Sequence, residues 1–212
     1  MTARSALGLA FGDLFQNSWR LVPINAALGA VLVFSIVAAI AVHALLVLAV
    51  LAGPLAVTLA HCSVTVVRTG NLALADAWEG LRLHWRRGLG LGAAGVALVV
   101  LAGIAVRFYA RSHAGWPFAF LTLYLLVLLG IYAAVLATVA VADPDRPLRL
   151  VARYAATVGA QRPGATLLLG LSLLLVNLAG IAAAVMPFLT LTVAYSFLAV
   201  ARFVVPPEAK EV

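Results

Sequence analysis

Four stretches of this chain contain no Asp, Glu, Lys or Arg, and their lengths constrain the fold more than any other feature. They cover residues 21–67, 88–106, 112–142 and 163–201. A helix needs about 20 residues to cross about 30 Å of hydrocarbon. The first and last stretches are long enough for two crossings each and the middle two for one each. The sequence therefore predicts six membrane-spanning helices.

Turn-forming residues divide the two longest stretches. The first turns near His43, and the last turns at Met186-Pro187. The predicted spans are TM1 21–42, TM2 44–67, TM3 88–106, TM4 117–141, TM5 164–185 and TM6 188–204. A five-span alternative stays open, in which Gly53-Pro54 marks a broken or re-entrant segment.

The overall composition favours a bilayer as the solvent. Hydrophobic residues make up 65% of the 212 residues, whereas soluble domains contain about 45–50%. Charged residues make up 10%, against about 25% in soluble proteins. So few charges could not cover a surface in water, which excludes a soluble enzyme, a disordered chain and a disulfide scaffold. The predicted fold is one all-α, polytopic membrane helix bundle.

The basic residues predict an orientation. With the N-terminus in the cytoplasm, Arg107 and Arg111 are the only two of the 14 basic residues that lie outside. This distribution follows the positive-inside rule. The net charge of +7 therefore reflects the basic residues that orient the protein in the membrane. It does not indicate a nucleic-acid partner, and none is expected. The Arg bias and abundant Ala and Leu are typical of a bacterial protein. We expect a multi-pass protein of the bacterial inner membrane with both termini in the cytoplasm.

Three segments next to the spans carry an apolar stripe at helical spacing. They are predicted as amphipathic helices over 3–19, 72–87 and 144–160. Their stripes are Leu7, Phe11, Leu14 and Phe15; then Leu74, Trp78, Leu81 and Trp85; then Leu148, Val151, Ala155 and Val158. Such helices either lie along the inner leaflet or pack against the ends of the bundle. Together, two Trp residues of the second stripe and the arginines of the polar faces provide a candidate cytoplasmic interaction face, which consists of Trp78, Arg82, Trp85, Arg86, Arg149 and Arg153.

The chain resembles a known family in the order and spacing of short motifs. These are Leu21-Val-Pro-Ile-Asn25, Leu51-Ala-Gly-Pro-Leu-Ala56, Val66-Val-Arg-Thr-Gly70 and the acidic-aromatic helix 76–87. The pattern is similar to that of the YesL-like family of bacterial integral membrane proteins, and the match in order covers most of the chain. That family has no established activity, and its members are often associated with carbohydrate uptake. The resemblance therefore implies a membrane protein with a link to sugar transport.

The sequence contains no pattern typical of an enzyme. Nucleophile-elbow, zinc-protease and Walker motifs are absent, and the four His residues lack ligand spacing. All seven acidic residues are predicted at the cytoplasmic side, which leaves no intramembrane carboxylate for proton coupling. A non-enzymatic protein without a cofactor or metal is expected.

Few polar or helix-breaking residues fall within the predicted spans. Asn25 and His61 lie at similar depths on neighbouring spans, and we expect them to face each other. They form either a small polar pocket or a helix–helix hydrogen bond. Asn177 lies too deep to join them. Gly53-Pro54 is expected to kink TM2, and Gly88 and Gly92 form a Gly-x-x-x-Gly pattern that favours close packing within the chain.

Three functions agree with these features. The first is an accessory or interaction component linked to carbohydrate uptake, with ABC transporter subunits or a second copy as partners besides the bilayer. The second is a small solute-binding or permease-like subunit, which requires a polar cavity that includes Asn177 or His61. The third is a structural or lipid-interacting membrane protein.

Overall fold

A computed structural model describes residues 2–183, 187 and 191–205 of the chain. Within these residues the backbone is helical and contains no strand. The α-helices are α1 (Ala3–Ala41), α2 (Ala52–Thr69), α3 (Leu74–Tyr109), α4 (Trp116–Ala142), α5 (Leu148–Gln161), α6 (Pro163–Ala182) and α7 (Val193–Val204). Two 3₁₀ segments, His43–Leu51 and His113–Gly115, precede α2 and α4.

Local side-chain chemistry explains where several helices begin and end. The Thr2 hydroxyl accepts a hydrogen bond from the backbone N–H of Ser5 at the start of α1 (3.2 Å), which is an N-cap. The Asp76 carboxylate accepts a hydrogen bond from the N–H of Ala73 (2.7 Å) at the start of α3. Gly70 ends α2 with φ +80°, a left-handed conformation that glycine adopts without a Cβ clash.

The predicted all-α polytopic bundle is confirmed. Five segments are long and apolar enough to cross a membrane: Ala3–Ala41, His43–Thr69, Leu74–Tyr109, His113–Ala142 and Pro163–Ala182. The chain is thus a multi-pass membrane protein. A shorter apolar helix, Val193–Val204, follows them. It lies in the region predicted as TM6, of which residues 188–190 are outside the described part of the chain, as are residues 184 and 185 of predicted TM5.

The helix bounds differ from the predicted ones because two amphipathic segments continue into spans without a break. Segment 3–19 and TM1 form the single helix α1, and segment 72–87 and TM3 form the single helix α3. At 39 and 36 residues, these helices are about 58 and 54 Å long, which exceeds the hydrocarbon thickness. Segment 144–160 corresponds to a separate helix, α5, and TM2 begins as the 3₁₀ segment.

Small residues near the start of α1 lie inside the bundle, whereas large aromatic residues beside them face outward. In α1, Ala6 and Ala10 are fully buried, whereas Phe11 and Phe15 of the predicted stripe are 66% and 80% exposed. Membrane helices pack through small residues because lipid solvates large apolar side chains as well as a protein core does. In α3, Trp78 and Trp85 of the predicted stripe also face outward. The opposite face of the same segment, with Gly80 and His84, is buried against α2.

The α5 stripe behaves differently, because its central residues pack against the bundle. Val151 and Ala155 are buried, and the Tyr132 hydroxyl of α4 donates a hydrogen bond to the carbonyl of Ala152 (2.9 Å). For this segment, packing against the end of the bundle is the alternative that agrees with the structure.

Candidate functional site

Backbone-to-backbone contact joins α2 and α3 at Gly53-Pro54. A Cβ atom built on Gly53 would lie 2.6 Å from the Cα of Gly92, and one on Gly88 would lie 2.5 Å from the Cα of Pro54. The carbonyl oxygen of Val50 faces Gly92. Pro54, four residues later, has no N–H that could donate to this carbonyl. The predicted packing role of Gly88 and Gly92 therefore applies within the chain. The expected irregularity of TM2 lies just before Gly53, where the 3₁₀ segment gives way to α2.

Two histidines meet along the same contact, nearer the start of α3. The His61 and His84 ring centroids are 5.4 Å apart, and the His61 ring also lies against Gly80. His84 is 2% exposed, and its Nε2 has no hydrogen-bond partner in the described part of the chain. Gly80, His84, Gly88 and Gly92 recur every fourth residue, which places them on one face of α3. That spacing is the signal that could have identified the His61–His84 contact from the sequence.

The expected pairing of Asn25 with His61 stays a prediction. Asn25 is 1% exposed and lies on α1, so it belongs to the interior as expected. His61 is half-buried and directs its ring toward α3 rather than leaving it in an open pocket.

Asn177 forms hydrogen bonds with neighbouring residues of α6 and of the start of α7. Its amide nitrogen donates to the Ser196 hydroxyl (2.7 Å) and to the carbonyl of Leu173 (2.8 Å). Its amide oxygen accepts a hydrogen bond from the Thr192 hydroxyl (3.1 Å). The hydrogen-bonding groups of the side chain are thereby used between α6 and the region that begins α7. Sequence reasoning found Asn177 but not its partners.

An apolar groove with a basic, aromatic end lies where the start of α2 meets α3. Its volume is about 510 Å³. Trp78 and Trp85 at this groove are 70% and 50% exposed, and Arg82 is exposed. The lining residues are Leu51, Pro54, Leu55, Trp78, Leu81, Arg82, Trp85 and Leu89. Three of the six residues predicted for the interaction face are thus brought together here.

The arginines near this end of the bundle fall into two groups. Arg82, Arg86, Arg149 and Arg153 are exposed and have no hydrogen bond or ion pair with other described residues. By contrast, Arg87 donates to the carbonyls of Ala140 (3.1 Å) and Arg146 (3.2 Å) and also to that of Pro144. Arg68 donates to the carbonyl of Ala142 (3.1 Å).

Arg87 and Arg68 therefore cap the C-terminus of α4, whose last carbonyls have no partner within the helix. Sequence reasoning counted both only as topology signals. No feature of the sequence distinguishes them from Arg82 and Arg86, because the distinction depends on which face of each helix meets α4.

An ion pair that the sequence did not predict joins the two ends of the chain. Arg202 of α7 binds Asp13 of α1 through two hydrogen bonds of 2.6 and 2.7 Å. The Arg202 and Asp13 side chains are 18% and 14% exposed. The bidentate geometry is the strongest arrangement for a guanidinium and a carboxylate. The Tyr195 hydroxyl adds a hydrogen bond to the carbonyl of Leu7 (3.1 Å).

Residues that could hold a metal do not cluster in the described ranges. No group of three or more His, Cys, Asp or Glu side chains is placed for coordination among residues 2–183, 187 and 191–205. Cys62 is buried as a free thiol, on the same helix as His61.

No protein-family model, curated protein or solved structure matches this chain. The resemblance to the YesL-like family therefore stays a prediction.

Proposed function

We propose that the protein is a non-enzymatic accessory component of the bacterial inner membrane that docks a partner through its basic end. The observation that carries this proposal is the set of outward arginines that make no bond to described residues. Arg149 and Arg153 extend from α5, which Val151 and Ala155 anchor to the bundle. A rigidly held helix with exposed cations suits an acidic surface on another protein.

The alternative of a solute-binding subunit has less support. It requires a polar cavity that includes Asn177 or His61. Asn177 is bonded to Ser196 and Thr192, and His61 lies against Gly80 and His84. Neither the 510 Å³ groove nor a second pocket of about 120 Å³ between α4, α5 and α6 is lined by either residue.

The partner that the proposal names is a transporter subunit of a carbohydrate-uptake system. This part of the proposal comes from the resemblance to the YesL-like family. The orientation follows the positive-inside rule, which assigns the arginine-rich end and both termini to the cytoplasm.

The test combines in-cell crosslinking with sugar uptake in a bacterial host of the gene. Double charge reversal, Arg149→Glu with Arg153→Glu, is expected to abolish crosslinks to the transporter subunits and to reduce uptake to the level of a deletion strain. Arg107→Glu with Arg111→Glu is the matched control, because Arg107 lies in the last turn of α3 and Arg111 in the turn that follows it, on the side predicted to face away from the cytoplasm. The control should leave crosslinks and uptake unchanged. If crosslinking recovers no transporter subunit, and deletion leaves sugar uptake unchanged, the proposal fails.

A further inference from the structure

The groove beside α3 changes in polarity along its length. Of the lining residues on α3, Trp78 and Arg82 come first along the helix and Leu89 comes last. Leu51 lies near the Leu89 end, because the carbonyl of the adjacent Val50 faces Gly92. Residues 78 and 89 belong to the same helix, so the two ends are about 16 Å apart along the helix axis. The groove is therefore polar and cationic at one end and wholly apolar at the other.

We propose that this groove binds one anionic phospholipid. The phosphate lies at Arg82, and an acyl chain lies against Leu51, Leu55 and Leu89. A guanidinium binds a phosphate through paired hydrogen bonds, and Trp favours the level of the lipid headgroups. The proposal is independent of partner docking, which depends on Arg149 and Arg153 of α5.

Three observations favour a phospholipid over a protein segment. None of the lining residues is acidic, so an anionic headgroup meets no repulsion from the walls. The floor of the groove is formed by Pro54, Leu55 and Leu89, which belong to segments long and apolar enough to span the membrane. The volume of about 510 Å³ is within the range of small-molecule sites, about 300–1,000 Å³, and accommodates a headgroup with part of one chain.

Quenching of Trp85 by brominated lipids tests the proposal. The substitutions Trp19→Phe, Trp78→Phe and Trp116→Phe leave Trp85 as the single Trp. The full-length protein with these substitutions is placed in nanodiscs. Brominated phosphatidylglycerol or brominated phosphatidylcholine then replaces part of an unlabelled zwitterionic lipid. We expect half-maximal quenching at an about fivefold lower mole fraction of brominated phosphatidylglycerol, because one arginine favours an anionic lipid by about this factor.

Two matched variants locate the headgroup. Arg82→Gln should remove the preference for phosphatidylglycerol. Arg86→Gln should retain it, because Arg86 is equally exposed on α3 but does not line the groove. A variant that retains Trp116 alone, at the start of α4, should be quenched equally by both lipids.

Three outcomes would overturn the proposal. The first is equal quenching of Trp85 by the two lipids. The second is an equal loss of preference in Arg82→Gln and Arg86→Gln, which would indicate diffuse surface charge. The third is shielding of Trp85 from both lipids, which would indicate a protein segment or a second copy in the groove. Unchanged thermal unfolding of the Arg82→Gln variant verifies that it folds.

Discussion

Single glycines decide how closely the helices of this protein approach. In lipid, large apolar side chains gain little from leaving the solvent, so association depends on van der Waals contact and hydrogen bonds between helices. Gly53 and Gly92 let the backbones of α2 and α3 touch, as shown by the 2.6 Å that would separate a Gly53 Cβ from the Gly92 Cα. Backbones in direct contact also allow Cα–H groups to attract carbonyl oxygens weakly across the interface. This α2–α3 contact, called the seam below, also includes the His61–His84 pair and borders the groove.

The substitution Gly88→Ala tests this close packing. The new Cβ would lie 2.5 Å from the Cα of Pro54, and backbone atoms cannot rotate away, so α2 and α3 must separate. Overpacking of this kind costs about 1–3 kcal/mol, and we expect the Tm in detergent to fall by about 5 °C. A thiol-reactive fluorophore measures unfolding directly, because Cys62 is fully buried in α2.

Gly90→Ala is the control for this experiment. A Cβ on Gly90 meets no atom within 4 Å, and alanine favours a helix over glycine by about 1 kcal/mol. Its Tm should stay constant or rise. Equal Tm values for Gly88→Ala and Gly90→Ala would show that the seam is not tightly packed.

At the scale of elements, Arg87 of α3 fixes the C-terminal end of α4 against α3. Its guanidinium binds carbonyls of Ala140 and Arg146, and thus reaches both the last turn of α4 and the loop that leads to α5. Cations at a helix C-terminus also interact favourably with the helix dipole. The position of α5, and with it the proposed docking surface, depends on this connection.

Arg87→Ala should therefore loosen the loop over residues 143–147. Hydrogen bonds to a charged group contribute about 1.5–3 kcal/mol, so we expect the Tm to fall by about 5 °C and the loop to be cleaved faster in limited proteolysis. Arg86→Ala removes a neighbouring arginine that has no bond to described residues, and should change neither value. Equal cleavage rates for the two variants would contradict a capping role for Arg87.

The elements differ in how far the sequence predicts them. The absence of charge located the spans because lipid excludes ions, whatever the details of packing. The inward face of the membrane-spanning helices was not predictable from apolar periodicity, since core-facing and lipid-facing positions are both apolar. Near the start of α1 residue size was the better signal: Ala6 and Ala10 lie inside while Phe11 and Phe15 lie outside. The partners of Asn177 and Arg202 depend on which helices become neighbours, and no local pattern encodes that.

For the whole molecule, the number of membrane crossings, even or odd, determines whether the two termini lie on the same side of the membrane. Five segments are long enough to span. The helix Val193–Val204 has 12 residues, which is about 18 Å and less than a full crossing. However, Arg202 near the end of α7 binds Asp13 near the start of α1. An even number of crossings agrees with that bond, because the two residues must lie at the same depth.

We therefore expect the end of α7 to lie on the same side of the membrane as the start of α1. Cysteines are introduced one at a time at Ser5, Ser112, Arg149 and Lys210, with buried Cys62 replaced by Ser, and labelled with a membrane-impermeant maleimide. Ser112→Cys, between α3 and α4, should react in intact cells. The other three should react only in inverted vesicles, because the positive-inside rule predicts that the basic end faces the cytoplasm. If Lys210→Cys reacted in intact cells, as Ser112→Cys should, the two termini would lie on opposite sides of the membrane. The number of crossings would then be odd, which would contradict the expectation.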